Sequence, residues 1–114
     1  MSKILICHPD EKIREHLKLT LCDQFNLILM DNIEQCLFIL KNANDAKALL
    51  LAINGSEEFN PQAIKNIKKE YPKLKILVVA ERKETQETKE AINLGAESCI
   101  FKPFKSEEIL AFVN

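Results

Sequence analysis

The chain switches repeatedly between two hydrophobic rhythms. Lys3-Ile4-Leu5-Ile6-Cys7 is a continuous apolar run stopped by His8-Pro9, the pattern of a strand buried on both faces. From Asp10 the spacing changes. Ile13, Leu17 and Leu21, with Leu19 and Phe25 on the flank, recur at helical intervals between Glu11, Lys12, Glu15 and Lys18. Asn26 to Met30 reads as a second strand. Asp31 then predicts a helix cap, with Glu34 three residues later in a capping-box arrangement. Ile33, Leu37 and Leu40, beside Cys36 and Phe38, are the expected apolar face of that helix. Asn42-Ala43-Asn44-Asp45 predicts a turn, and Ala46 to Ile53 a third strand.

A polar loop, Asn54 to Phe59, follows. Asn60-Pro61 predicts a helix start, with asparagine as cap and proline in the first turn. Ile64, Ile67 and Tyr71 mark its inner side, and Pro72 follows its end. Lys75 to Ala80 reads as a fourth strand. Thr85 to Leu94 reads as a helix with Ala91 and Leu94 inward, and Gly95 suits a left-handed cap. Glu97 to Phe101 is a fifth strand, and a short last helix opens at Ser106-Glu107-Glu108. Continuous apolar strands alternating with helices predict an α/β domain, a doubly wound parallel sheet of five strands covered on both faces. Right-handed crossovers favour the flavodoxin-like strand order 2-1-3-4-5. The 114 residues suit a single domain, 1–114.

The formal net charge of -1 gives no reason to expect direct nucleic-acid binding or attraction to an acidic membrane. Lys65, Lys68, Lys69, Lys73 and Lys75 read as a solvated helix face and turn. No apolar run approaches a membrane span. Cys7, Cys22, Cys36 and Cys99 are scattered, without metal-ligand spacing to His8 or His16, and read as small buried hydrophobes. With no signal-peptide pattern, the expected location is the reducing cytoplasm.

In an open parallel sheet, ligands bind beyond the carboxyl ends of the strands. Here that edge comprises His8-Pro9-Asp10, Ala52-Ile53-Asn54, Ala80-Glu81 and Lys102-Pro103. Asp10 reads as a helix cap before a cation ligand, and His8 as a hydrogen-bonded structural histidine. Glu81 and the Glu57-Glu58 pair read as solvated. Lys102 is expected to pair with a loop carbonyl or with Asp10. No nucleophile stands beside a base, so no enzyme is expected. Gly55 and Gly95 are the only glycines, so a Gly-rich phosphate loop is lacking.

Gly95-Ala96, the strand after it and Lys102-Pro103-Phe104, preceded by Glu90-Ala91-Ile92-Asn93-Leu94, stand in an order that resembles the receiver domain of bacterial response regulators. The resemblance covers essentially the whole chain. It implies an aspartate nucleophile at the position of Ala52, a cation-holding acidic pair at His8 and Pro9, and a hydroxyl at Ala80. It also implies a phosphoryl-binding lysine at Lys102, which is retained, and a switch aromatic at Cys99. Four of these five functions have lost their side chain, so the resemblance implies a degenerate receiver that works without phosphorylation, metal or cofactor. It implies action through a protein partner or an attached output domain, transcriptional or signalling, with the chain as the N-terminal part of a longer protein. The face of helix 4, strand 5 and helix 5, here Lys89, Ile92, Asn93, Ile109, Phe112 and Val113, is the implied site of docking or homodimerisation. The resemblance also implies a cis Lys102-Pro103 bond. The alternative is a domain that binds a small ligand or anion at the same strand ends.

Overall fold

The computed structural model describes residues 1–42, 45–54, 57–81 and 85–113. Its elements are β1 (Lys3–Cys7), α1 (Glu11–Leu21), β2 (Asn26–Met30), α2 (Ile33–Asn42), β3 (Ala48–Ile53), α3 (Pro61–Glu70), β4 (Lys75–Ala80), α4 (Gln86–Asn93), β5 (Ser98–Phe101) and α5 (Ser106–Val113). All pairings are parallel and the order is β2-β1-β3-β4-β5, the flavodoxin-like arrangement. Gly55, Ser56, Arg82, Lys83, Glu84 and the middle of the 42–45 turn lie outside the described residues.

Each central strand serves two cores because successive side chains point to opposite faces. Ile4, Ile6, Ala48, Leu50, Leu77 and Val79 meet Ile13, Leu17 and Leu21 of α1 and Ile109 and Val113 of α5. Leu5, Cys7, Leu49, Leu51, Ile76 and Val78 meet Cys36 and Leu40 of α2, Ile64 and Ile67 of α3, and Ala91 of α4. A fully buried Leu or Ile contributes about 1.5–3 kcal/mol, so these two layers carry most of the fold's stability.

Several helix ends follow the expected chemistry. The Asp10 side chain accepts from the Lys12 N–H, and Asn60 from the Gln62 N–H, with Pro61 behind it. Gly95 has φ +125°, a conformation open to glycine and costly for residues with a Cβ. The Lys102-Pro103 peptide is cis.

Other details differ from expectation. Asn32, not Asp31, caps α2, because the Gln35 N–H reaches Asn32 Oδ1 at 2.8 Å. The inner stripe of α2 is Cys36 and Leu40, which leaves Leu37 and Phe38 exposed. Leu19 and Cys22 are also exposed. Lys68 is not part of a solvated face. Its Nζ donates to the carbonyls of Pro72 and Leu74 and meets Glu97 Oε1 at 2.9 Å, tying the end of α3 to the starts of β4 and β5. Glu97 Oε2 accepts in turn from the Ile76 N–H. No described helix is long and apolar enough to cross a membrane.

Candidate functional site

The strand order reverses at β1 and β3, and the carboxyl ends of these two strands frame an open cleft of about 310 Å³. His8, Pro9 and Asp10 line it after β1, Ala52 and Ile53 at the end of β3 with Asn54 just beyond, and Val79 of β4 with Glu81 just past that strand. The register sets these neighbours. Cys7 pairs with Leu51, and Ala52 with Val79, so Ala52 comes one step beyond the β1 end. Ala52 and Ala80 are both buried. The sequence-predicted positions His8, Pro9 and Ala52 are therefore brought together, and what they contribute at this end of the sheet is an imidazole, a pyrrolidine ring and a methyl group.

His8 is held on three sides. Its N–H donates to the Met30 carbonyl at 3.0 Å and its carbonyl accepts from Arg14 Nη1 at 2.6 Å. The Asp10 N–H donates to His8 Nδ1 at 3.0 Å, which requires that nitrogen to be unprotonated. Burial and then the Lys102 cation push the His8 pKa down to about 4, against the opposing pull of Asp10. The ring is accordingly neutral at pH 7. Arg14 was not singled out from the sequence; its one legible signal is its place one helical turn past Asp10, facing the end of β1.

The two carboxylates at the cleft are both engaged. The Asp10 side chain accepts from the Lys12 N–H at 2.8 Å, and this hydrogen bond holds its carboxyl below the usual carboxylate range. Glu81 Oε1 lies 3.6 Å from Lys102 Nζ. Lys102 thus pairs with Glu81 rather than with Asp10 or a loop carbonyl, because β5 lies beside β4 and the two strand ends meet across the sheet edge. A divalent cation wants several convergent oxygen ligands. Among the described residues, a capping aspartate and an ion-paired glutamate beside a histidine and a proline do not fit one, and no cluster of three His, Cys, Asp or Glu side chains forms elsewhere.

Glu58 is not merely solvated: its Oε1 accepts from the Ile33 N–H at 2.7 Å and so caps α2 from the loop after β3. Beside the main cleft, Lys102, Pro103 and Phe104 form a second, wider groove with Lys12, Ile13 and His16, whose ring meets Phe104 at 5.8 Å.

Cys99 lies on β5 with its Sγ 4.0 Å from the Thr88 carbonyl, half-buried, and burial raises its thiol pKa. Of the candidate interface positions, Lys89, Ile92 and Asn93 are exposed and Phe112 is half-buried. Ile109 and Val113 are fully buried and must be removed from that surface. They stand one turn apart on an eight-residue helix and anchor it to the sheet beside α1.

The model of the response regulator receiver domain matches residues 4–114. The chain belongs to that family. Receiver domains are signalling modules of two-component systems, and this chain shares their fold throughout. It is similar to a response regulator receiver domain protein from Clostridium thermocellum, with a TM-score of 0.91, 17% identity, and coverage of 100% of this chain and 92% of that one. It is similar to the chemotaxis protein CheY4 of Vibrio cholerae, with a TM-score of 0.86, 20% identity, and coverage of 97% and 94%. It is also similar to NtrX from Brucella abortus, with a TM-score of 0.83 and 22% identity, covering 97% of this chain and 25% of that one. No similar sequence was found among the curated proteins.

Proposed function

We propose that this receiver domain signals without accepting a phosphoryl group. The observation that carries the proposal is the Ala52 methyl, buried at the end of β3 where the family resemblance calls for the nucleophilic carboxylate. Transfer to a side chain needs a nucleophile, a cation to neutralise the phosphoryl oxygens, and donors to hold them. Ala52 offers no nucleophile, His8 and Pro9 offer no carboxylate, and Ala80 offers no hydroxyl. Lys102 keeps its charge and spends it on Glu81. Cys99 replaces the switch aromatic, so the domain rests in one conformation.

In this reading the module is not an enzyme, takes no cofactor and acts in the cytoplasm by contact with a protein partner or an output domain. The match to one quarter of NtrX supports an output domain, since there a domain of this fold sits within a longer chain. Lys89, Ile92, Asn93 and Phe112 on the α4–β5–α5 face are the proposed docking surface.

Thermal melting tests whether these residues bind a divalent cation. Millimolar Mg²⁺ should leave the melting temperature where a monovalent salt of matched ionic strength leaves it, because a ligand stabilises only by preferring the native state. A specific Mg²⁺ shift of several degrees would contradict the proposal. The small-ligand alternative rests on the 310 Å³ volume of the cleft, which is enough for a small molecule. Calorimetry with nucleotides and inorganic phosphate separates the two readings.

A further inference from the structure

The outward face of α2 carries a stripe whose chemistry is symmetric about its middle. Glu34, Leu37, Phe38 and Lys41 stand at i, i+3, i+4 and i+7 and share one side of the helix. Cys36 and Leu40 turn the other way, into the core. Phe38 is 65% exposed and Leu37 43% exposed. Two adjacent large apolar side chains on an outward face are not explained by the packing of the domain itself. Toward α3, Ile33 and Leu37 border a shallow cleft with Ala63 whose rim is polar, with Glu57, Glu58 and Gln62, so the apolar patch ends there. Among the described residues neither Glu34 nor Lys41 has an ion-pair partner.

The midpoint between Leu37 and Phe38 is also the midpoint between Glu34 and Lys41. An antiparallel copy of α2, related by a two-fold axis through that point, would set apolar pair against apolar pair. It would also set Glu34 beside Lys41 of the second copy and Lys41 beside its Glu34. A two-fold interface demands this kind of self-complementary patch. The helix dipole accounts for an acid near the N-terminus and a base near the C-terminus. It does not account for the exposed leucine and phenylalanine between them.

We propose that this face of α2 is a self-association surface, and that its occupant is α2 of a second copy of this chain. The surface lies on a different part of the molecule from the α4–β5–α5 face, so a dimer formed here leaves that face open to a partner. A ten-residue helix is about 15 Å long, so the contact is small. The dimer should accordingly be weak and reversible, with Kd in the range of about 10 μM to 1 mM.

Sedimentation equilibrium on the full chain, up to about 1 mM, tests the proposal in a range where such a Kd is visible. The expected result is a reversible monomer–dimer equilibrium that weakens with added salt. Phe38→Glu should abolish it. Glu34→Lys and Lys41→Glu should each weaken it by about tenfold or more, since each alone sets like charges together. An equimolar mixture of those two single variants should recover association as a heterodimer, and the doubly swapped chain should recover it as a homodimer. Ile92→Glu should leave association unchanged. A chain that stays monomeric would overturn the proposal. So would a dimer that survives Phe38→Glu, one lost with Ile92→Glu, or a mixture of the swapped variants that remains monomeric. Circular dichroism melts of each variant establish that it is folded. If one single swap does not fold, Phe38→Glu and the doubly swapped chain still decide.

Discussion

The backbone N–H of Asp10 donates to Nδ1 of His8 at 3.0 Å, at the edge of the cleft where β1 ends. The bond exists only while that nitrogen is unprotonated, and burial and then the Lys102 cation disfavour the imidazolium. The folded pKa of about 4 lies below the ordinary value of 6.5, so between these limits the unfolded chain binds more protons than the folded one. The His8 contribution to stability is therefore complete above pH 6.5 and lost as pH falls toward 4. The expected loss is about 2 kcal/mol, discounted from the full linkage value because the ring borders an open cleft. Urea unfolding across this range checks it. His8→Gln, which cannot titrate, should flatten the slope and leave only the carboxylate contribution.

Lys102 acts on His8 through its charge. Lys102→Met should raise the His8 pKa from about 4 toward its ordinary value, and Glu81→Gln should lower it further. Titration of the ring carbon protons by NMR reads both shifts. The ion pair itself is half-exposed, so neither substitution should cost more than about 1 kcal/mol of stability. A His8 pKa unmoved by Lys102→Met would show that burial alone sets it.

Gly95 is pinned twice, by a φ of +125° and by Lys68, whose Cγ would lie 2.9 Å from an added Cβ. Lys68 has little room to yield because its Nζ is bound to two carbonyls and a carboxylate. Gly95→Ala should destabilise by about 1–3 kcal/mol, from backbone strain and overpacking together. In a Lys68→Ala background the packing part should vanish and the backbone part should remain. A double-mutant cycle by chemical denaturation gives the coupling.

Ile109 and Ile92 separate core from surface on the α4–β5–α5 side. Ile109→Ala should cost about 2–5 kcal/mol, the usual loss for a buried aliphatic side chain. Ile92→Ala, on a residue that is 46% exposed, should stay within about 0.5 kcal/mol. Equal costs would mean that α5 is not anchored as described.

β1, β2 and β4 run between the same residues as their apolar runs: β1 and β4 are buried on both faces, and β2, at the sheet edge, is half-buried, yet each leaves a continuous signal bounded by polar residues. The buried face of α2 differs from the expected one for a physical reason. Cys36 to Leu40 is an unbroken apolar stretch, and such a stretch is compatible with more than one inward stripe. Only packing against the sheet decides that Cys36 and Leu40 go in and Phe38 stays out. Ile109 and Val113 posed a related problem, since a two-turn helix has too few residues for its phase to be read. At the cleft, the residues at each strand end were legible because topology alone gathers them. Their partners were not: Lys102 with Glu81, Arg14 with the His8 carbonyl and Glu58 with α2 depend on which strands and loops become neighbours.

The central claim is that this receiver cannot take up a phosphoryl group. Intact-mass spectrometry after incubation with acetyl phosphate and Mg²⁺ tests it most directly. The native chain should keep its mass, and Ala52→Asp alone should add little, since His8 and Pro9 still supply no cation site. A phosphoryl adduct on the native chain that is labile to acid or base, as an acyl phosphate is, would contradict the account.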